Sequence, residues 1–219
     1  MKEKCIIFTG GADVFCDGFD KCDFDASYII AADSGCAQIK RLCDKGFHIL
    51  PNLLLGDMDS FDRKNAIGLF PNAEFMQYPK EKDYTDTQLA VDVAINKGYT
   101  DIEVVGGTGN RADHYLANLA LLRRYSDKGI EISINDGKNK IFYCKCGKYT
   151  VENDSKFKYF SILPDGSDLL GVSITGAKYT LKNAVVDRDL PITVSNEITA
   201  DICTINVEKG KFFFILCSD

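Results

Sequence analysis

The feature that most constrains the fold is a series of short apolar runs that end in glycine or aspartate and alternate with helix-like segments. Four such runs are KCIIFTGG, ASYIIAAD, LPNLLLGD and DIEVVGG. The segments SGCAQIKRLCDKG, TDTQLAVDVAINKG and RADHYLANLALLRRY carry apolar residues at helical spacing. Apolar strands that alternate with helices are typical of a parallel sheet covered by helices on both faces. We therefore predict an α/β domain over residues 1–130.

From about residue 130 the pattern changes to short β-rich runs separated by Gly, Asp, Asn and Pro. Examples are EISINDGKNKIFYC, KYFSILPDG, LLGVSITGAKYTL and KFFFILC. Since no convincing helical period appears here, we predict an all-β sandwich or barrel domain over residues 131–219.

Charge and cysteine content limit the possible partners of the chain. Its 219 residues carry a formal net charge of −6, which argues against a nucleic-acid surface because phosphate neutralisation needs clustered Lys and Arg. No apolar segment is long enough to span a bilayer, and the apolar run near the N-terminus is too short for a signal peptide. The nine cysteines are scattered, without a CxxC pair. We expect a cytoplasmic protein without nucleic-acid or membrane partners.

Carboxylates follow several of the predicted strands. In an open parallel sheet, ligands bind outside the carboxyl ends of the strands. Asp57 and Asp59 end the run LLLGDMDSF, Asp33 ends ASYIIAAD, and Asp86 lies with Lys82 in PKEKDYTD before a helix. Two carboxylates this close repel each other unless a cation lies between them. Mg²⁺ is the favoured cation because it prefers oxygen ligands and substrate phosphates.

These aspartates also have a purely structural interpretation. Thr85 and Gln88 have the spacing of a capping box, which places Asp86 in the first turn of a helix, where a carboxylate stabilises the helix dipole. Asp59 precedes a possible N-cap serine, and Asp57 could cap a turn. Both interpretations stay open for Asp86 taken alone, whereas a pair of carboxylates at a strand end favours a ligand site.

The segment GGTGNRA, which contains Gly107 and Gly109, connects a predicted strand to a helix. Free N–H groups at a helix start bind phosphate, and glycines let the backbone approach it closely. The match to the dinucleotide fingerprint is weak because this segment ends the last βαβ unit instead of opening the first. Arg111 could bind a phosphate or lie on a solvated face, and His114 could be a base, a donor or a core histidine. A magnesium–nucleotide enzyme without a P-loop, moving a phosphorus group, is the function that these residues indicate.

The motifs AADSG, LLLGDMDSF, PKEKDYTDTQLAV and GGTGNRADHYLAN, in this order, resemble those of the thiamine pyrophosphokinase family. GAKYTLKN and TVSNE in the β-rich part extend the resemblance over nearly the whole chain. It implies transfer of a pyrophosphoryl group from ATP to the hydroxyl of thiamine, giving thiamine diphosphate and AMP. It also implies a nucleotide-binding catalytic domain, a thiamine-binding and dimerisation domain, and a homodimer whose active sites lie at the subunit interface.

The resemblance assigns roles to residues within the motifs. Asp57, Asp59 and Asp86 are similar to the family's magnesium and phosphate site. The groups on the ATP side or at the transfer site would be Asp33, Lys82, Gly107, Gly109, Arg111, Asp113 and His114. The thiamine contacts would be Gln88, Ser195 and Asn196.

The chain departs from the family pattern at several positions. Ser34 and Asn110 stand where glycines are common. The chain has no tryptophan, so either a tyrosine or phenylalanine takes the place of the indole that stacks on thiamine in some relatives, or the thiazolium packs less tightly.

Two further classes of function fit parts of the same pattern. Asp57-Met58-Asp59 is a DxD motif, as in metal-dependent sugar-nucleotide transferases, and it is also similar to the motif of aspartyl-phosphate phosphohydrolases. The latter place the motif after their first strand. A non-catalytic nucleotide-binding module would retain the glycine-rich segment without turnover.

Overall fold

The computed structural model divides into two compact units, Met1–Gly137 and Lys138–Asp219. It describes residues 4–11, 14–25, 27–56, 63–79, 81, 83–109, 111–154, 156–190 and 192–219, without the side chains of residues 63–65. The first unit alternates strands and helices, and the described part of the second contains strands but no helix. The predicted fold class, an α/β domain followed by an all-β domain, is therefore confirmed.

The described part of the first unit forms a parallel sheet of six strands with four α-helices. The strands are β1 (Lys4–Phe8), β2 (Tyr28–Ala32), β3 (Leu53–Gly56), β4 (Glu74–Gln77), β5 (Asp101–Val105) and β6 (Glu131–Asn135). The helices are α1 (Gly35–Asp44), α2 (Arg63–Leu69), α3 (Asp86–Asn96) and α4 (Ala112–Ser126), and a short 3₁₀ turn spans Cys16–Gly18. The strand order β4-β3-β2-β1-β5-β6 reverses direction between β1 and β5. This reversal is the topological switch point at which open α/β sheets bind ligands.

The interior strands are apolar along nearly their whole length because both faces of the sheet are covered. Residues 5–8 of β1 are buried, and so is every residue of β3. Helix α1 buries Cys36, Ile39 and Leu42, which face the same way at helical spacing. Strand β6, which the sequence pattern groups with the β-rich part, pairs in parallel with β5 and belongs to this sheet.

The second unit is antiparallel, and its strands are longer than the sequence pattern indicated. The strands are β7 (Asn139–Glu152), β8 (Tyr159–Thr175), β9 (Leu181–Val186), β10 (Asn196–Glu197) and β11 (Ile202–Cys217). Strand β11 lies between β7 and β8, while β9 and β10 both pair with β8.

Several glycines that we interpreted as turns are bends within these long strands. The register of β11 against β7 shifts between Val207 and Lys211, which is the signature of a β-bulge. Gly210 at this bulge has φ 119°, and a Cβ there would lie 2.6 Å from Leu169 Cδ2. The bulge lets one strand bend and continue, so ADICTINVEKG and KFFFILC form a single element. No described helix of the chain is long and apolar enough to cross a membrane.

Candidate active site

A cavity of about 490 Å³ opens at the carboxyl ends of β1, β2 and β5, at the switch point of the parallel sheet. Its wall combines strand ends with the first turns of α3 and α4. The lining residues are Thr9, Gly10, Gly11, Ala32, Asp33, Ser34, Tyr84, Thr85, Asp86, Thr87, Gly107, Gly109, Arg111, His114 and Asn118. The structure thus brings together six of the predicted site residues, namely Asp33, Asp86, Gly107, Gly109, Arg111 and His114.

The loop after β1 packs directly against the glycine loop, which we define as residues 106–109. A Cβ on Gly11 would lie 2.4 Å from the carbonyl oxygen of Gly106 and 3.2 Å from Gly109 Cα. Only glycine fits this approach without a shift of the backbone. The side-chain hydroxyl of Thr87, at the start of α3, donates to the hydroxyl of Thr9 at 3.3 Å. The close packing of the two loops and this hydroxyl bond together set the shape of one wall of the cavity.

Asp33 supplies negative charge at the end of β2. Its backbone is left-handed, with φ 50°, a conformation that non-glycine residues adopt chiefly at turns and functional sites. The Asp33 N–H donates to the carbonyl of Leu55 in β3 at 2.7 Å, and a Cβ on Gly56 would lie 3.2 Å from Asp33 Cα. Burial and, next, the Asp33 carboxylate raise the pKa of the Cys36 thiol to about 11. Strand β3 thus ends beside Asp33, at the residue that precedes Asp57.

Asp86 is the first residue of α3 and lines the cavity. Thr85 is the N-cap of this helix, and its hydroxyl accepts from the Gln88 N–H at 3.1 Å, so the predicted cap is confirmed. The cap does not occupy the carboxylate of Asp86, so the capping and ligand-binding interpretations are compatible. Gln88 does not line the cavity, and its Nε2 is buried without a hydrogen-bond partner among the described residues.

Arg111 is the N-cap residue of α4 and pairs with Asp113 in its first turn. The Arg111 Nε and Nη2 groups donate to the two Asp113 carboxylate oxygens at 3.2 and 2.7 Å. This hydrogen-bonded pairing raises the pKa of Arg111 and lowers the pKa of Asp113. Both side chains are exposed, and Asp113 does not line the cavity. The cation predicted to meet a phosphate is therefore held by a neighbouring carboxylate at the cavity mouth.

The predicted residues of the second unit, Ser195 and Asn196, have different environments. Ser195 is exposed, has a left-handed backbone with φ 57°, and its N–H donates to Ser161 Oγ at 3.0 Å. Asn196 is only 2% exposed, and its amide binds both backbone groups of Tyr179, accepting from the N–H at 3.0 Å and donating to the carbonyl at 2.8 Å. Asn196 is thus committed to internal bonds, and the residue that it fixes, Tyr179, is 59% exposed.

Three predicted residues, Asp57, Asp59 and Lys82, lie outside the described part of the chain. Among the residues that the structure describes, no group of three or more His, Cys, Asp and Glu could hold a metal ion. Asp86 is the one predicted metal ligand that is described.

Sequence reasoning missed several residues of the cavity wall. Thr9, Gly10 and Gly11 follow β1, and Asn118 lies one turn beyond His114 on α4. A signal for the first three was present, since TGG directly follows the first apolar run. The TGG segment reaches the cavity because β1 pairs with β5. The order of the strands along the chain does not reveal this pairing.

Comparison with known proteins identifies the family of the chain. The model for the catalytic domain of thiamin pyrophosphokinase matches residues 19–134, and the model for its vitamin B1 binding domain matches residues 148–212. The chain belongs to the thiamin pyrophosphokinase family. The resemblance of its motifs to this family is thereby confirmed.

Individual thiamin pyrophosphokinases are similar over most of the chain. Thiamine pyrophosphokinase from Bacillus subtilis is 34% identical over 179 residues, which cover 81% of this chain and 83% of the relative. A crystal structure of the Bacillus subtilis protein has a TM-score of 0.85 at 28% identity, with 99% of this chain and 100% of that chain covered. The structure of thiamin pyrophosphokinase from Geobacillus thermodenitrificans has a TM-score of 0.79 at 30% identity and covers 99% and 98% of the two chains.

Proposed function

We infer that the protein transfers the terminal diphosphate of ATP to the hydroxyl of thiamine, giving thiamine diphosphate and AMP. The observation that carries this assignment is that both family domains are present on one chain. The cavity supports the assignment, because a glycine-rich loop and two carboxylates face one space at the switch point of the sheet. A sugar-nucleotide transferase or a phosphohydrolase, which the DxD motif alone would permit, has no such support.

We propose that the glycine loop receives phosphates of ATP. Among the described backbone groups, no carbonyl accepts from the N–H of Gly107, Thr108 or Gly109. Backbone N–H groups that converge before a helix N-terminus are an anion site. Arg111, at the same helix start, would add a positive charge when ATP competes with Asp113 for its guanidinium. Lys82 and His114 are further candidates on the ATP side.

The chemistry of the acidic residues fits a magnesium ion. Asp57, Asp59 and Asp86 would hold it, and bound Mg²⁺ offsets the negative charge of phosphate oxygens. Two structural observations support a shared site: Asp86 lines the cavity, and β3 ends beside Asp33, directly before Asp57. Carboxylate oxygens are the ligands that this hard cation prefers over thiol or imidazole groups.

Transfer requires the thiamine hydroxyl to attack the β-phosphorus of ATP in line with the departing AMP. Such reactions depend on positioning and charge neutralisation more than on covalent chemistry. The glycine loop would orient the phosphate chain of ATP. Arg111 and Lys82 would balance the charge that develops during transfer, and Asp33 would bind polar groups of the substrates at the cavity wall. With ATP bound, the cavity wall would exclude bulk water from part of the phosphate chain, which would strengthen these electrostatic contacts.

We propose that the second unit contributes the surface for thiamine, with Ser195 and Tyr179 as the contact residues. Tyr179 lies in the motif GAKYTLKN and presents its ring to solvent from a backbone that Asn196 fixes at both ends. An exposed aromatic ring on a fixed backbone suits a cationic heteroaromatic ligand through stacking and cation–π attraction. Tyr179 is thus our candidate for the aromatic residue that takes the place of the missing tryptophan. Gln88, whose buried amide nitrogen has no hydrogen-bond partner among the described residues, stays a candidate contact from the first unit.

We further propose that the protein is a homodimer whose active sites lie at the subunit interface, as the family resemblance implies. Three exposed apolar residues of one segment support it: Leu190, Ile192 and Val194 are each more than half exposed, shortly before Ser195. Apolar side chains that cluster at the surface mark contacts with another chain. Light scattering should give twice the 24.3 kDa chain mass. Ile192→Asp should lower this mass and abolish activity, whereas Leu50→Asp, at an exposed site of the first unit, should change neither.

The experiment that tests the activity is chromatography of the products formed from ATP, Mg²⁺ and thiamine. Equal amounts of AMP and thiamine diphosphate are expected. ADP with thiamine monophosphate would contradict pyrophosphoryl transfer, and ATP binding without AMP release would indicate a non-catalytic nucleotide-binding module. The cytoplasmic location stays a prediction from the nine thiols, which cell fractionation tests.

A further inference from the structure

We propose that Asn118 and Asp136 are positioning residues that hold the glycine loop in one conformation for the phosphates of ATP. This inference rests on the proposed function for its ligand. Its structural basis is three hydrogen bonds, one to each of the loop residues Gly106, Gly107 and Thr108.

The first bond comes from α4. The Asn118 side chain is buried, and its Nδ2 donates to the carbonyl oxygen of Gly107 at 2.8 Å. A Cβ on Gly107 would lie 3.5 Å from this nitrogen, so the amide lies directly against the loop backbone. The bond fixes the Gly107 carbonyl and with it the peptide plane whose other end is the N–H of Thr108.

The other two bonds come from the end of β6. The Gly106 N–H donates to the carbonyl of Asn135 at 3.1 Å. The Thr108 hydroxyl donates to Asp136 Oδ2 at 2.6 Å, a short distance that is typical of a hydroxyl bonded to a carboxylate. Asp136 is only 3% exposed and does not line the cavity, so its effect on a ligand is indirect, and its bond to Thr108 links it to the glycine loop.

A buried network keeps the end of β6 in place. Asn135 Nδ2 donates to Glu103 Oε1 at 3.1 Å, and Asn135 Oδ1 accepts from the Gly137 N–H at 2.9 Å. Lys4 Nζ forms an ion pair with Glu103 Oε2 at 2.9 Å. These bonds tie the residues on both sides of Asp136 to β5 and β1. The Asp136 carboxylate therefore has a fixed anchor from which to hold Thr108.

The bonds matter because glycine-rich segments lose more conformational entropy on ordering than other segments do. A loop that is ordered before ATP arrives does not lose that freedom on binding, so the affinity for ATP is higher. Removing an anchoring bond should weaken ATP binding, although neither Asp136 nor the bonded atom of Thr108 need contact the nucleotide. Thiamine binding, which we assign to other residues, should be unaffected.

The test measures binding of Mg²⁺ with α,β-methylene-ATP, a non-transferable analogue, by calorimetry. Thr108→Val and Asp136→Leu each remove one partner of the same bond, and each should raise the Kd about five- to tenfold. Their combination should raise the Kd no more than about twofold beyond the larger single effect, because both remove one interaction. Asp136→Asn retains an acceptor for the hydroxyl and should stay within about twofold of wild type. Asn118→Leu should also raise the Kd, whereas Leu116→Ala, at an exposed position of the same helix, should not.

Two results would overturn the positioning roles. One is wild-type affinity for the analogue in folded Thr108→Val, Asp136→Leu and Asn118→Leu variants. The other is an equal loss of analogue and thiamine affinity with a lowered melting temperature, which would mean a general structural defect. If wild type binds the analogue but releases no AMP, the proposed activity fails while the Kd values still decide the positioning roles. If wild type does not bind the analogue, both fail.

Discussion

The two units hold their candidate site residues in opposite ways. In the α/β unit, residues from β1, β2, β5, α3 and α4 meet only because these elements end at one edge of the sheet. In the β-rich unit, Tyr179 and Ser195 come from two segments that the buried amide of Asn196 joins. The first arrangement brings carboxylates and glycine-loop backbone to the wall of one cavity. The second uses its polar groups for structure and presents an aromatic ring, so variants of the two sites should fail in different ways.

The largest effects should follow loss of the carboxylates at the end of β3. We expect Asp57→Asn or Asp59→Asn to lower turnover at least about a thousandfold with an unchanged melting temperature, because the change removes charge without altering shape. AMP release measured at saturating substrates tests this, and chelation of Mg²⁺ should have the same effect on wild type. Near-normal magnesium-dependent activity in either variant would contradict the metal site.

A somewhat smaller loss of turnover should follow Asp86→Asn. We expect kcat to fall about a hundredfold with little change in stability, since the Thr85 cap persists. The matched control is Asp83→Asn, an exposed aspartate three residues earlier in the same segment, which should behave as wild type. If Asp86 served only the helix dipole, both variants would have normal kinetics.

Substitutions in the β-rich unit should lower the affinity for thiamine and leave the catalytic rate nearly unchanged. We expect Tyr179→Ala to raise the KM for thiamine about tenfold, because stacking and cation–π contacts are lost. Tyr179→Phe retains the ring and should stay close to wild type. Steady-state kinetics with each substrate varied in turn tests this. A larger change in the KM for ATP than for thiamine would contradict the assignment of ATP to the α/β unit and thiamine to the β-rich unit.

Asn196→Ala should combine a structural effect with a smaller functional one. It leaves the backbone N–H and carbonyl of Tyr179 without their partner, which costs about 1–3 kcal/mol of the free energy of unfolding. The KM for thiamine should rise about fivefold, less than in Tyr179→Ala, because the ring is still present but less fixed. Denaturant unfolding and kinetics measure the two effects. A stable variant with unchanged kinetics would show that Asn196 does not anchor Tyr179.

Apolar periodicity predicted the parallel α/β sheet, and the Thr85–Gln88 spacing predicted the helix cap. The position of the motifs along the chain predicted that Asp33, Asp86 and the glycine loop lie near one another. These features depend on local patterns and on the rule that ligands bind at strand ends.

The features that sequence reasoning missed depend on contacts between residues that are far apart in the chain. Thr9 and Gly11 gain their role from the pairing of β1 with β5, which are far apart in the chain. The internal role of Asn196 depends on its burial against Tyr179, and an exposed polar turn would have the same sequence. The long strands of the second unit were divided at glycines such as Gly210, because a bulge and a turn have the same local signal.

The central claim is that the α/β unit binds ATP and the β-rich unit binds thiamine. Its most direct test compares the affinities of two variants for each of the two ligands. Calorimetry should be done with Mg²⁺ and α,β-methylene-ATP, and separately with thiamine, on Asp86→Asn and Tyr179→Ala. We predict that Asp86→Asn weakens binding of the nucleotide analogue, whereas Tyr179→Ala weakens thiamine binding about tenfold and leaves the analogue's affinity within about twofold of wild type. If Tyr179→Ala weakened both ligands equally while folded, or left thiamine affinity unchanged, thiamine would not be held by the β-rich unit as we propose.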